Sequence, residues 1–391
     1  MFDSHEYERI ASFSDEQTLM DKDVISLQVL ASHYLLQKKV SSSGSASGLL
    51  MGGKPKQGKM GVDYLEGEKL RLVKLCDSAQ ERFSNDSVLT YLRAVVLGEF
   101  GSCKDIRYMQ ELLVRAIKLS QWNWAAWLEL AQLGDEFLSS ELESSISSLE
   151  LFRFFKLERF RAQKRFSELL AELETLRPVR TEWTYLTELE GVCFHELREF
   201  SKALVCFEKL RKADPFYISG MDVYSNCLFV LERPADLFAL ASHWLETSPN
   251  APETSVIVGN FFSLKSDHEK AALFFKRATA VSPTNANAWL LLGHELIELR
   301  NPSAALAAYQ QAAARCPGGH QDLRPWYAMG QLFELINQFA FAVYYHNRAA
   351  QIDPRDSRVW KALAGCYQKL NRMDESRECA LRAARNCGMK F

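Results

Sequence analysis

A 34-residue period in the second half of the chain limits the possible folds more sharply than any other feature. Residues 286–317 read ANAWLLLGHELIELRNPSAALAAYQQAAARCP. Counted from Ala286, they put Trp289 at position 4, Leu292 at 7, Gly293 at 8, Ala305 at 20, Tyr309 at 24, Ala312 at 27 and Pro317 at 32. The window from Pro252 repeats this with Val258, Gly259, Ala271, Phe275, Ala278 and Pro283, and adds Phe262 at 11. Windows from Leu323 and Ser357 follow, and weaker ones from Thr184 and Ile218 precede, making six consecutive units. Trp326 to Trp360 is one period, whereas Trp289 to Trp326 is 37 residues, so three residues are inserted around 318–320.

This is the tetratricopeptide pattern, and it has a physical cause. Small residues at 8, 20 and 27 let two helices approach closely, bulky ones at 4, 7, 11 and 24 fill the space between them, and proline at 32 ends the second helix. The expected fold is therefore all-α, a solenoid of helical hairpins wound into a right-handed superhelix. Asn301 and Pro302 supply a cap and a first-turn proline for one second helix, and Ser266 with Glu269 reads as a capping box for another. Gly and Pro together number 30 of 391, below the usual ~12 %, and too few for a turn-rich β fold.

Upstream the period fades while the helical chemistry persists. Residues 86–127 resemble one stretched repeat with Ala116 in the position-27 role, and Trp127 opens another; 151–176 read as long helices. Residues 40–61, rich in Ser, Gly and Lys, read as a mobile loop. The expected division is a divergent helical region over 1–180 and a C-terminal superhelix over 181–391 carrying a groove.

Several chemistries are excluded or unsupported. Net charge is −2, from 47 basic and 49 acidic residues, which argues against a nucleic-acid binder. The N-terminus lacks a signal-like apolar stretch and no segment approaches about 18 apolar residues, so a soluble, intracellular protein with no membrane partner is expected. GKPKQGK at 53–59 has phosphate-loop spacing, but Met60 stands where a Ser or Thr would bind magnesium. The nine cysteines show no zinc-site spacing and read as reduced, buried thiols; a Cys193–His195–Cys206 grouping reads as packing. No cofactor, metal or catalytic site is expected, and the chain is not read as an enzyme.

The informative residues are those that packing does not dictate. First-helix positions 2, 5, 6, 9, 12 and 13 face the concave side of such a superhelix, where an extended peptide can lie. They include Asn226, Asn260, Asn287, Leu291, His294, Glu298, Tyr327, Gln331 and Glu334, with Glu295 bordering the same face and Val256 and Ile257 beside it as an apolar recess. An amide- and acid-lined groove favours a peptide presenting a cation and an aliphatic side chain. The cations that would grip a terminal carboxylate are absent, since Val256, Leu290 and Leu291 occupy their positions.

The strings VIVGNFFSLKSDHEKAALFFKRA (256–278), WLLLGHELIELRNPSAALAAYQQA (289–312), WYAMGQLFEL (326–335), FEKLRKADPFYISGMDVYSN (207–226) and WNWAAWLELAQL (122–133) resemble the tetratricopeptide scaffold subunit eight of the anaphase-promoting complex. The likeness runs from about residue 20 to the end and is strongest after 180. It implies a non-catalytic subunit of a cell-cycle ubiquitin ligase, which homodimerises through its N-terminal repeats, contacts other subunits of the complex, and receives the basic C-box peptide of coactivators in its groove. The family's groove asparagine and glutamate fall on Asn260 and Glu295, facing an arginine of that peptide. Relatives are expected to continue beyond the position of Phe391 with further repeats. The alternative is a tetratricopeptide adaptor in another multi-protein assembly.

Overall fold

The computed structural model describes residues 29–30, 32–33, 59–100, 106–133, 140–176, 183–315 and 322–387. Among these residues the regular elements are helices, with no strand. The chain forms two compact units, residues 1–164 and 165–391.

In the first unit, α1 (Lys59–Arg82) packs on α2 (Ser87–Phe100), and α2 on α3 (Ile106–Leu119). Then α4 (Trp124–Gln132), α5 (Ser140–Ile146) and α6 (Phe152–Ala162) close on α3 and α4. The core gathers around Trp127, which is wholly buried, with Leu113, Ile117, Leu130, Ile146 and Phe155. Trp127 Nε1 donates to the Gln121 carbonyl at 3.0 Å, six residues back. Trp289 and Trp360 make the same bond to Pro283 and Pro354 at 3.0 and 2.7 Å, so the repeat geometry persists upstream where the sequence period fades. Most of the 40–61 stretch lies outside the described residues, but its last three residues already belong to α1.

The second unit runs through α7 (Phe166–Leu176), α8 (Thr184–Glu196), α9 (Phe200–Ala213), α10 (Met221–Val230), α11 (Pro234–Thr247), α12 (Pro252–Leu264), α13 (His268–Val281), α14 (Ala286–Glu298), α15 (Pro302–Ala314), α16 (Leu323–Leu335), α17 (Phe339–Ile352), α18 (Ser357–Lys369) and α19 (Met373–Cys387). Each helix packs on the next, and α10 also packs on α12. The unit begins ahead of the 180/181 division read from the period, because α7 packs on α8. Residues 151–176 form two 11-residue helices rather than long ones, broken at Lys164, whose φ is +57°.

That backbone feature recurs. Lys164, Arg198, Glu232, Ser266, Arg300, Asn337 and Asn371 all have positive φ, spaced 34 residues apart except for the 37 between Arg300 and Asn337. The residue after each of the last six donates its N–H to a carbonyl five residues back, as Asp267 does to Phe262 at 3.0 Å and Asn301 to Leu296 at 2.9 Å. This six-to-one closure satisfies the end of the first helix while the chain reverses. It also corrects the cap of α13: Ser266 is spent on the left-handed turn, and Asp267 accepts from the Lys270 N–H at 3.3 Å. Asn301 caps α15 as expected, accepting from the Ala304 N–H at 3.2 Å, with Pro302 in the first turn.

Position 8 explains its glycine. A Cβ on Gly259 would lie 2.6 Å from the Phe275 ring, one on Gly293 2.3 Å from the Tyr309 ring, and one on Gly330 2.4 Å from the His346 ring. Each position-24 ring thus lies directly against the backbone of its partner helix.

Candidate functional site

The first helices of successive hairpins line a cleft of about 590 Å³. Phe229 comes from α10, Ser263 from α12, and His294, Glu295, Ile297 and Glu298 from α14; Ala328, Gln331, Glu334 and Leu335 come from α16. His268 from the start of α13 and Tyr309 from α15 complete it. Among the described residues three carboxylates line the cleft, with no Lys or Arg.

Glu295 is buried, with 6 % of its surface exposed. Its Oε1 accepts from Ser263 Oγ at 2.7 Å and its Oε2 lies 2.8 Å from His268 Nδ1. A buried carboxylate is sustained only by such partners, which leave its negative end on the cleft wall. Beside it, the buried Tyr309 hydroxyl lies 2.9 Å from His294 Nδ1. Burial raises that hydroxyl's pKa, and the charges of Glu295 and Glu298 raise it further.

Asn260 is 2 % exposed, and its amide turns toward the preceding hairpin. Nδ2 donates to Ser225 Oγ at 2.8 Å and to Asn226 Oδ1 at 2.7 Å. Ser225 in turn donates to the Asp222 carbonyl at 2.6 Å, so α10 and α12 are joined by a short polar relay. Farther on, Glu334 Oε1 lies 2.8 Å from His346 Nε2 and accepts from Cys366 Sγ at 3.0 Å. Burial would raise the Glu334 pKa, but these two partners more than offset it and hold the carboxyl below its ordinary value. Positions 12 and 10 of neighbouring units therefore meet twice: Ser263 gives to Glu295, and Cys366 gives to Glu334.

The residues expected at the groove are not all at its surface. His294, Glu295, Gln331 and Glu334 line the cleft together, with His294 and Gln331 exposed. Asn226 is half-buried beside Asn260, and Leu291 is half-buried against the core. Val256 and Ile257 are 1 % and 0 % exposed and do not form an apolar recess. Ile257 packs with Tyr224, Leu228 and Leu240, and Val256 with Phe275 and Leu292, because α12 is buried between its neighbours. Ser225, Ser263, His268, His346 and Cys366 were not singled out by position, and Tyr309 was placed at position 24 as packing only. His268 in particular opens a second helix, whereas the concave positions were counted on first helices. The six described cysteines outside the masked stretches are buried thiols, and burial pushes Cys76 and Cys227 up to about 12.

A model of the family "Anaphase promoting complex subunit 8 / Cdc23" matches residues 1–190, and a tetratricopeptide repeat model matches 286–318. The family match thus lies mostly where the generic repeat pattern is weakest in the sequence. Subunit 8 of Arabidopsis thaliana is 32 % identical over 244 residues, covering 62 % of this chain and 41 % of that protein. Subunit 8 of Dictyostelium discoideum is 30 % identical over 221 residues, covering 56 % and 37 %. Subunit CDC23 of Saccharomyces cerevisiae is 28 % identical over 240 residues, covering 56 % and 38 %. The chain thus spans about two fifths of the length of these Cdc23-type relatives. The crystal structure of the APC/C hetero-tetramer Cut9–Hcn1 shares the fold, with TM-score 0.62 over 99 % of this chain and 76 % of that one at 13 % identity.

Proposed function

We propose that the chain is a non-catalytic tetratricopeptide scaffold subunit of the anaphase-promoting complex. It contacts other subunits, pairs with a second copy through residues 1–180, and acts in the nucleus and cytoplasm of dividing cells. Its cleft receives the basic C-box peptide of a coactivator. The observation that supports the peptide reading is the charge of the cleft: Glu295, Glu298 and Glu334 line it, with no Lys or Arg among its described lining residues. An arginine guanidinium entering there gains charge-assisted hydrogen bonds of about 1.5–3 kcal/mol each. Glu295 is the best-placed acceptor, since Ser263 and His268 fix its orientation before a ligand arrives. Asn260 supports the same wall by tying α12 to α10.

The scaffold reading is tested by affinity purification of the tagged chain from dividing cells. Recovery of the complex's other subunits is the expected result. Recovery of a different stable assembly would replace it with the adaptor reading.

A further inference from the structure

His346 occupies the position-24 slot that Phe275 and Tyr309 fill in the two preceding units. Its ring is wholly buried against Gly330, and its Nδ1 has no hydrogen-bond partner among the described residues. A phenyl ring there would leave no buried polar atom, whereas an orphaned one costs about 1–3 kcal/mol. The imidazole is therefore an expensive choice for packing alone. What distinguishes this unit is the Glu334 carboxylate from α16, whose Oε1 meets both His346 Nε2 on α17 and the Cys366 thiol on α18. One oxygen, one nitrogen and one sulfur from three successive helices lie within 4.8 Å of one another.

We propose that Glu334 Oε1, His346 Nε2 and Cys366 Sγ bind one zinc-class divalent cation. A thiolate, an imidazole and a carboxylate together suit zinc and disfavour magnesium or calcium, which take oxygen ligands. With bonds of about 2.0–2.3 Å, a tetrahedral ion holds its donors roughly 3.3–3.6 Å apart. The present 2.8 and 3.0 Å contacts therefore open by roughly half an ångström as the ion replaces the shared hydrogens. Cys366 loses its proton to solvent and binds as thiolate. Glu334, whose side chain is 33 % exposed, lines the cleft and gives the route of entry. The fourth position falls to water, as in open zinc sites. No motif announces the site, since its ligands are 12 and 20 residues apart along the chain.

Cobalt(II) titration of the full chain under reducing conditions tests it. The expected result is one equivalent bound, with a sulfur-to-cobalt charge-transfer band, displaced by added zinc. Cys366→Ser abolishes the band, while His346→Phe, which restores the ring used at position 275, weakens binding at least about tenfold. Glu334→Gln weakens it likewise and, at a partly exposed side chain, carries the least risk to the fold. Cys379→Ser, at a buried thiol outside the trio, leaves the spectrum unchanged. A wild-type chain that gives no such band, or a band and affinity that survive Cys366→Ser and Glu334→Gln, would overturn the proposal.

Discussion

Alanine at Gly293 probes the packing that makes this solenoid. The new Cβ would stand 2.3 Å from Tyr309 Cε1 and 2.6 Å from Cδ1, against an ordinary carbon contact of about 3.5–4.0 Å. The ring cannot retreat freely, since Tyr309 is fully buried and its hydroxyl is held 2.9 Å from His294 Nδ1. Overpacking of this kind costs about 1–3 kcal/mol, and a deficit above an ångström belongs at the upper end. Alanine recovers about 0.8–1 kcal/mol of helix propensity, leaving a net loss of about 2 kcal/mol. Gly365, inside α18, is the control, because a Cβ there meets nothing within 4 Å. Gly365→Ala should therefore gain up to about 1 kcal/mol. Urea unfolding followed by circular dichroism should move the two midpoints in opposite directions. In the double variant Gly293→Ala/Tyr309→Leu, the loss should be smaller than the two single losses combined. A Gly293→Ala midpoint at or above wild type would refute the close-approach account of position 8.

Two further outcomes follow from the cores and charges. Trp127→Ala should cost about 3–5 kcal/mol, read as loss of the first unit's protection in hydrogen exchange, because the ring is fully buried and packs 5.4 Å from Phe155. Burial tends to raise the Glu196 pKa, but its contact with His195 and the Arg324 guanidinium 3.5 Å away hold it below the ordinary value. A lowered folded-state pKa stabilises above the unfolded value of about 4.3 and is lost as pH falls through the folded value. Glu196→Gln should accordingly flatten the fall in urea midpoint on acidification through that window; an unchanged pH profile would count against the contact.

Much of the second unit was legible because its constraints are local and periodic. Gly259 with Phe275 and Gly293 with Tyr309 follow from fixed offsets, and so does the Asn301 cap. Ser266 misled because the left-handed turn takes up that residue and passes the cap to Asp267, which the residue spacing alone does not report. The groove was half legible. Counting positions found Glu295 and Asn260, but not that each turns toward the preceding hairpin, where Ser263, His268, Ser225 and Asn226 satisfy it. Val256 and Ile257 failed as a recess because position alone does not report how deeply α12 sinks between its neighbours. The trio of Glu334, His346 and Cys366 was invisible for the same reason: its members meet only after three helices stack.

The central claim is that an acidic cleft built around Glu295 receives the arginine of a bound peptide. Fluorescence anisotropy with a labelled Asp-Arg-Tyr-Ile-Pro peptide, titrated with the full wild-type chain and with Glu295→Gln, tests it most directly. The glutamine keeps the side chain's size and removes its charge, so loss of one charged hydrogen bond, about 1.5 kcal/mol or more, predicts binding weaker by roughly tenfold. Equal affinities for the two proteins would contradict the claim.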